Sequence, residues 1–186
     1  MKSLNTSVSD KLKFFAQQYV ERYTDKYQHL PLVECDENWP SECIQGNNDA
    51  QTNFWQPIDV QDPLSFDNIE TALELTLHKD LKTYFTTLYS DSLHASCSEG
   101  ELSLLLPWSS KDFERLQENI IGHVLMKKKL KQSVTIFFAV TDDEDCILSV
   151  NNQTGEVWVE RVGCVPHKKL ANSLAEFIEQ LQPAVP

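Results

Sequence analysis

Apolar positions recur at helical spacing from Ser9 to about Gln28, where Leu12, Phe15, Ala16, Tyr19, Val20, Tyr23 and Tyr27 follow one another and Ser9 stands ready to cap. A first amphipathic helix is predicted. Leu30 to Asn53 follows with Pro31, Pro40, Gly46 and the polar run Asn47-Asn48-Asp49, a long loop with room for one short strand. Phe54-Trp55-Gln56-Pro57 then reads as a strand, and its proline places it at an edge or an end. Asp67 with Glu70 three residues later gives a start like a capping box, and Ile69, Leu73 and Leu77 continue on one face of a second helix. Leu81 to Tyr89 is a further short segment, helical or extended.

Around Ser98-Glu99-Gly100, the flanks Leu93 to Cys97 and Glu101 to Leu106 read as a hairpin ended by Pro107. From Ser110 to Leu130, Phe113, Leu116, Ile120 and Val124 fall at i, i+3, i+7 and i+11, the strongest helical period in the chain. Val134 to Val140, Cys146 to Asn151 and Glu156 to Val162 alternate with the turns at Asp142-Asp145 and Gln153-Gly155, which predicts a three-strand meander. A last helix is expected over Lys168 to Leu181, with Leu170, Leu174, Phe177, Ile178 and Leu181 on its core side. Strands and helices do not alternate regularly. An α+β fold follows, a mostly antiparallel sheet with packed helices in a single domain over residues 1–186.

Composition narrows the class. With 186 residues, 41% hydrophobic and 24% charged, the chain can bury a core without disulfide or metal staples. The longest stretch free of Asp, Glu, Lys and Arg is ten residues, about half of what a membrane-spanning helix needs. Met1 to Asp10 lacks the apolar core of a secretory signal, and neither end carries a lipidation pattern, so a cytoplasmic protein is expected. Cys35, Cys43, Cys97, Cys146 and Cys164 are scattered with no C-x-x-C pair, which suits free thiols in a reducing compartment. A zinc site built from Cys35, Cys43, His94 and Cys97 would not have the spacing of a ribbon or finger, and no metal or other cofactor is expected. Glycines at 46, 100, 122, 155 and 163 make neither a dinucleotide fingerprint nor a phosphate loop.

Charge adds the most specific feature. Of a net charge of −12, all is carried between Glu34 and Glu101, where fourteen acidic residues face only Lys79 and Lys82. Such a region repels nucleic acid and anionic lipid and favours a basic partner. The turn Asp142 to Asp145 reads as solvated, because neighbouring side chains in a tight turn diverge. Lys127-Lys128-Lys129 with Lys131 is accounted for by the helix C-terminus, whose partial negative charge favours cations; the net charge speaks against lipid binding there. Gly122 falls opposite the apolar stripe of its helix, so the expectation is a close approach by another segment or a partner, or a bend.

Several strings, in this order, carry a resemblance: Phe54-Trp55-Gln56-Pro57, Tyr84-Phe85-Thr86-Thr87, Trp108-Ser109 with Asp112-Phe113, Gln117-Glu118-Asn119-Ile120-Ile121-Gly122-His123, Ser149-Val150-Asn151 with Gly155-Glu156-Val157, and Leu174-Ala175-Glu176-Phe177. Together they resemble the Syd family of SecY-interacting proteins, over nearly the whole chain, with Glu34 to Asn53 matching poorly. The resemblance implies a non-enzymatic protein, peripheral on the cytoplasmic face of the inner membrane mainly through SecY, the channel subunit of the protein translocase. It implies an acidic concave surface that receives basic cytosolic loops of SecY, and a role in regulating the translocase or sequestering improperly assembled SecY. The fold it implies is that of a superfamily including toxin-immunity proteins. Glu37, Asp59, Asp62, Asp67 and Glu70, which flank the W-Q-P strand and the second helix, are the candidate partner-binding acids, with Trp55, Glu118 and Gly122 from the matching strings. The same charge would serve an immunity-type inhibitor masking a basic toxin nuclease, the alternative reading. A hydrolase has no supporting motif.

Overall fold

The computed structural model describes residues 7–186, so the reading made of the first ten residues lies largely outside the described ones. The cap of helix α1 (Val8–Tyr27) lies two residues earlier than expected: it is Ser7, whose side chain accepts from Asp10 N–H while the Asp10 carboxylate reaches back to Ser7. It ends at Gln28, in the left-handed conformation at φ 61°. The expected long loop is richer than one strand. It holds β1 (Leu32–Glu34) and β2 (Ile44–Asn47), which flank β3 (Thr52–Trp55) in a three-stranded antiparallel sheet. Trp55 ends the central strand, and Pro57 lies just past it, where its missing N–H costs the ladder nothing.

A two-residue ladder, β4 (Ile58–Asp59) with β5 (Leu88–Tyr89), encloses α2 (Asp67–Leu73) and α3 (Lys79–Thr87). No side chain caps α2. Glu70 is occupied elsewhere, accepting from Leu77 N–H at 2.8 Å and from Lys82 Nζ at 2.9 Å, so the expected capping box does not form. His78 caps α3 instead, through Nδ1 and Asp80 N–H.

The main sheet is antiparallel throughout and has seven strands: β6 (Leu93–Cys97), β7 (Gly100–Leu104), β8 (Thr135–Thr141), β9 (Cys146–Asn151), β10 (Val157–Arg161), β11 (Lys168–Ala171) and β12 (Gln182–Pro183) in spatial order β11-β10-β9-β8-β7-β6-β12. The hairpin and meander expected from alternation are both present in it. Lys168 to Ala171, expected as the first turn of the last helix, is instead edge strand β11, and α5 is only Leu174–Glu179, capped by Ser173. Between β7 and β8 runs α4 (Ser110–Lys129), capped by Ser109. A bulge near Phe137 and Phe138 marks the middle of β8, where three helices meet it: Phe137 packs edge-on against His123 of α4, and Phe138 against Tyr84 of α3 and Phe177 of α5. One continuous core joins these elements.

Lys127 departs furthest from its expected place. Both it and Glu160 of β10 are 0% exposed, and Lys127 Nζ lies 3.3 Å from Glu160 Oε1 and donates to the Cys164 carbonyl at 2.9 Å. The hydroxyls of Thr135 and Ser149 donate to the Glu160 carboxylate at 2.9 Å, and His123 Nε2 stands 3.7 Å from it. Only Lys128, Lys129 and Lys131 remain at the surface. Among the described residues no three His, Cys, Asp or Glu side chains gather as a metal site, and all five cysteines are free thiols.

Two measurements follow from this cluster. Lys127→Met leaves the Glu160 carboxylate buried without its cation and is expected to cost about 3–5 kcal/mol in denaturant unfolding, whereas Lys127→Met with Glu160→Gln regains part of that loss. Burial holds the His123 imidazole below its ordinary value, against the upward pull of Glu160 and with a further push down from Lys127. The unfolded chain therefore takes up that proton first on acidification, so this share of stability is intact above about pH 6.5 and is lost as pH falls through the folded-state value. Urea unfolding at pH 7.5 and 5.5 should show a larger loss in the parent than in His123→Gln.

Candidate partner-binding site

The connection between β1 and β2 is laid across the start of α4 by one tryptophan. Trp108 Nε1 donates to the Trp39 carbonyl at 3.1 Å, Ser41 Oγ donates to the Trp108 carbonyl, and Lys111 and Arg115, one turn apart on α4, stand 5.0 and 5.7 Å from the Trp39 ring centre. Trp55 supports the arrangement from below, edge-on to Trp108 at 5.9 Å. The result is an open cleft of about 330 Å³ lined by Val33, Trp39, Asp91, Leu106, Trp108, Asp112, Arg115, Leu116, Asn119 and Phe137, among others.

Its two carboxylates differ in duty. Asp112 accepts from Trp108 N–H at 2.9 Å and belongs to the cap of α4. The Asp91 carboxylate accepts from the neighbouring Ser92 N–H at 2.7 Å and has no ion-pair partner among the described residues. Glu34, Asp36, Glu37 and Glu42, on the β1–β2 segment beside the cleft, are exposed and likewise outside every ion pair of the described residues. The negative field reaches inward: burial pushes the Cys43 thiol up to about 11, and the charges of Glu42 and Asp91 add to that push. Tyr19 is pushed up to about 12, by burial first, with Asp91 contributing. The cleft thus pairs a tryptophan-lined surface with uncompensated acids, an arrangement that attracts cationic side chains.

The family model of Syd protein (SUKH-2) matches residues 9–183. The chain belongs to the Syd family. Protein Syd of Colwellia psychrerythraea is 52% identical over 97% of this chain and 95% of its own length. Protein Syd of Alteromonas mediterranea is 49% identical over 95% of this chain and 97% of its own, and that of Aliivibrio fischeri is 40% identical over 96% and 97%.

In this Syd family member the candidate acids do not come together. Glu37 stands on the segment beside the cleft, two residues from Trp39. Trp55 is buried, so it acts by supporting Trp108. Asp59 pairs with Lys13 at 2.8 Å in a second cleft of about 310 Å³, between α1 and the β3–β4 connection. Asp62 accepts from the Tyr89 hydroxyl at 2.6 Å, and burial, ahead of this bond, drives that phenol far up. Glu70 is held by Lys82. Asp67 is exposed at the start of α2, which is tied to α4 by Gln117 donating to the Ser65 carbonyl at 2.7 Å. Glu118 and Gly122 are exposed on α4, one turn apart. Sequence reasoning missed Trp39, Asp91, Arg115 and Asn119. The signal was present: Asp112, Arg115 and Asn119 recur at i, i+3 and i+7 on a helix whose apolar stripe is displaced from them.

Gly122 also departs from expectation. A methyl group there would meet nothing within 4 Å, and α4 runs unbroken through it, so no segment of the described chain needs the glycine. Gly122→Ala is expected to raise stability by about 0.5–1 kcal/mol in chemical unfolding.

Proposed function

We propose that the chain binds SecY through the acidic cleft and its rim, receiving basic cytosolic loops, and that it acts as a regulator or sequestering factor for improperly assembled SecY and not as an enzyme. The observation that carries this reading is the set of carboxylates outside every ion pair of the described residues, Asp91 in the cleft and Glu34, Asp36, Glu37 and Glu42 beside it, adjoining the half-buried Trp39. Cytoplasmic loops of membrane proteins are enriched in Lys and Arg, so an acidic receptor is the complementary surface for them. Asp67, Glu118 and Gly122 extend the same reading over α2 and α4. Asp59, Asp62 and Glu70 contribute less, since Lys13, Tyr89 and Lys82 already engage them.

Membrane attachment is then peripheral, on the cytoplasmic side and mainly through SecY; no helix of the described residues is long and apolar enough to cross a membrane. Capture from detergent-solubilised membranes separates this reading from the immunity-type alternative, under which a soluble basic nuclease would be recovered in place of SecY.

Reversing Glu37 and Asp91 to Lys should weaken binding of SecY-loop peptides by about 1–3 kcal/mol. Reversing Asp142 and Glu144, in the distant solvated turn, should change it far less. Stopped-flow association should slow steeply with ionic strength while dissociation changes little. A salt-independent on-rate with equal effects from the two reversals would overturn the mechanism.

A further inference from the structure

At the far end of α4 the surface has the opposite character. Leu130, just past the helix, is 48% exposed, and the turn after β10 carries Val162 and Val165 at 56% and 60%. That turn is drawn against the helix end by two hydrogen bonds, Gln132 Nε2 to the Gly163 carbonyl at 3.0 Å and Lys127 Nζ to the Cys164 carbonyl at 2.9 Å. Lys128, Lys129 and Lys131 stand beside it, and none pairs with a carboxylate among the described residues; Lys128 reaches only the Leu73 carbonyl.

The cations that flank the same turn are spoken for. Arg161 pairs with Asp143 and Asp145, Lys168 with Glu99, and Lys169 with Glu156. Three lysines within four residues, none in an ion pair of the described residues, thus stand together at this tip in a chain of net charge −12, beside bare aliphatic side chains.

We propose that this tip, formed by Leu130, Val162, Val165 and the three lysines, is a contact for an anionic lipid surface. Lysines attract acidic headgroups within a screening length of about 8–10 Å, and aliphatic side chains standing clear of the fold enter the acyl boundary. Aliphatic side chains offer nothing to a nucleic acid backbone, so lipid is the anion that satisfies both halves of the patch. Arg115 at the cleft and Lys129 at the tip lie about 20 Å apart along the axis of α4, so the tip can rest on a bilayer while the cleft stays open above it. Three lysines give a weak, salt-sensitive contact, an aid to partner binding and not a substitute for it.

Flotation of the whole protein with vesicles of phosphatidylglycerol and phosphatidylcholine in equal parts, against phosphatidylcholine alone, tests this. At low ionic strength binding to the mixed vesicles is expected, with little to phosphatidylcholine and strong weakening at physiological salt. Lys128→Glu, Lys129→Glu and Lys131→Glu together should reduce it on the order of a hundredfold. The matching Gln variants, which keep helix-forming side chains, should show a smaller loss with an unchanged unfolding curve. Val165→Asp should reduce it several-fold, and the cleft reversal Glu37→Lys should not reduce it. No binding of the parent to mixed vesicles at low salt, or full binding by the triple Glu variant, would overturn the proposal. Loss of SecY capture in detergent by the triple variant would overturn it too, by making the tip a protein contact. Failure of the cleft variants to affect SecY would leave this result standing, since the vesicles contain no protein.

Discussion

A lysine and a glutamate with no exposed surface hold the end of α4 against the sheet, and the placement of everything on that helix depends on them. Removing two charges from water costs several kcal/mol each, and here the cost is met by an assembled set of partners: two hydroxyls and an ammonium on the carboxylate, a carboxylate and a backbone carbonyl on the ammonium. An apolar pair of the same volume could be as stable. It would not choose a register. The ionic pair ties one residue of α4 to one residue of β10 and to the turn beyond it, which sets how far the helix slides along β8, and hence where its first turns meet Trp39 and Trp108.

What was legible in the sequence was what repeats. The apolar stripe of α4, the hairpin around Gly100 and the meander from Thr135 to Arg161 all show their period within one segment, and the structure has each of them. Contributions made between segments were not legible. Lys168 to Ala171 continues the helical period of α5 in sequence, but becomes a strand because β10 offers it a ladder. Glu70 looks like a capping residue until Lys82 and Leu77 claim its carboxylate. Lys127 carried a readable hint, since it falls three residues after Val124 and continues the buried stripe; its charge made the surface reading more natural.

The site shows the same division. A run of negative charge can be counted, but which acids are free is a question of neighbours in space. Lys13, far off in sequence, neutralises Asp59, and a phenol engages Asp62, whereas Asp91 and Glu37 have no ion-pair partner among the described residues. The two ends of α4 also do double service. Asp112 at its first turn and the lysines at its last complement the helix dipole, and the same charges give the cleft and the tip their opposite signs. Stability of the helix and polarity of the molecule are thus not independent variables.

The closure of α1 onto α5 and β12 has a consequence for folding. Arg22 donates to the Pro183 carbonyl and to Gln182, α1 packs on α5 and β12, and β12 completes the main sheet beside β6. Arg22 and Pro183 are 161 residues apart in sequence. Leu12, Phe15 and Tyr19 therefore complete their burial only through contacts of long separation, whose loop-closure cost is met before the contacts return anything. Such closures slow folding, and a chain that has not yet made them leaves part of the core face of α1 open to other apolar surfaces.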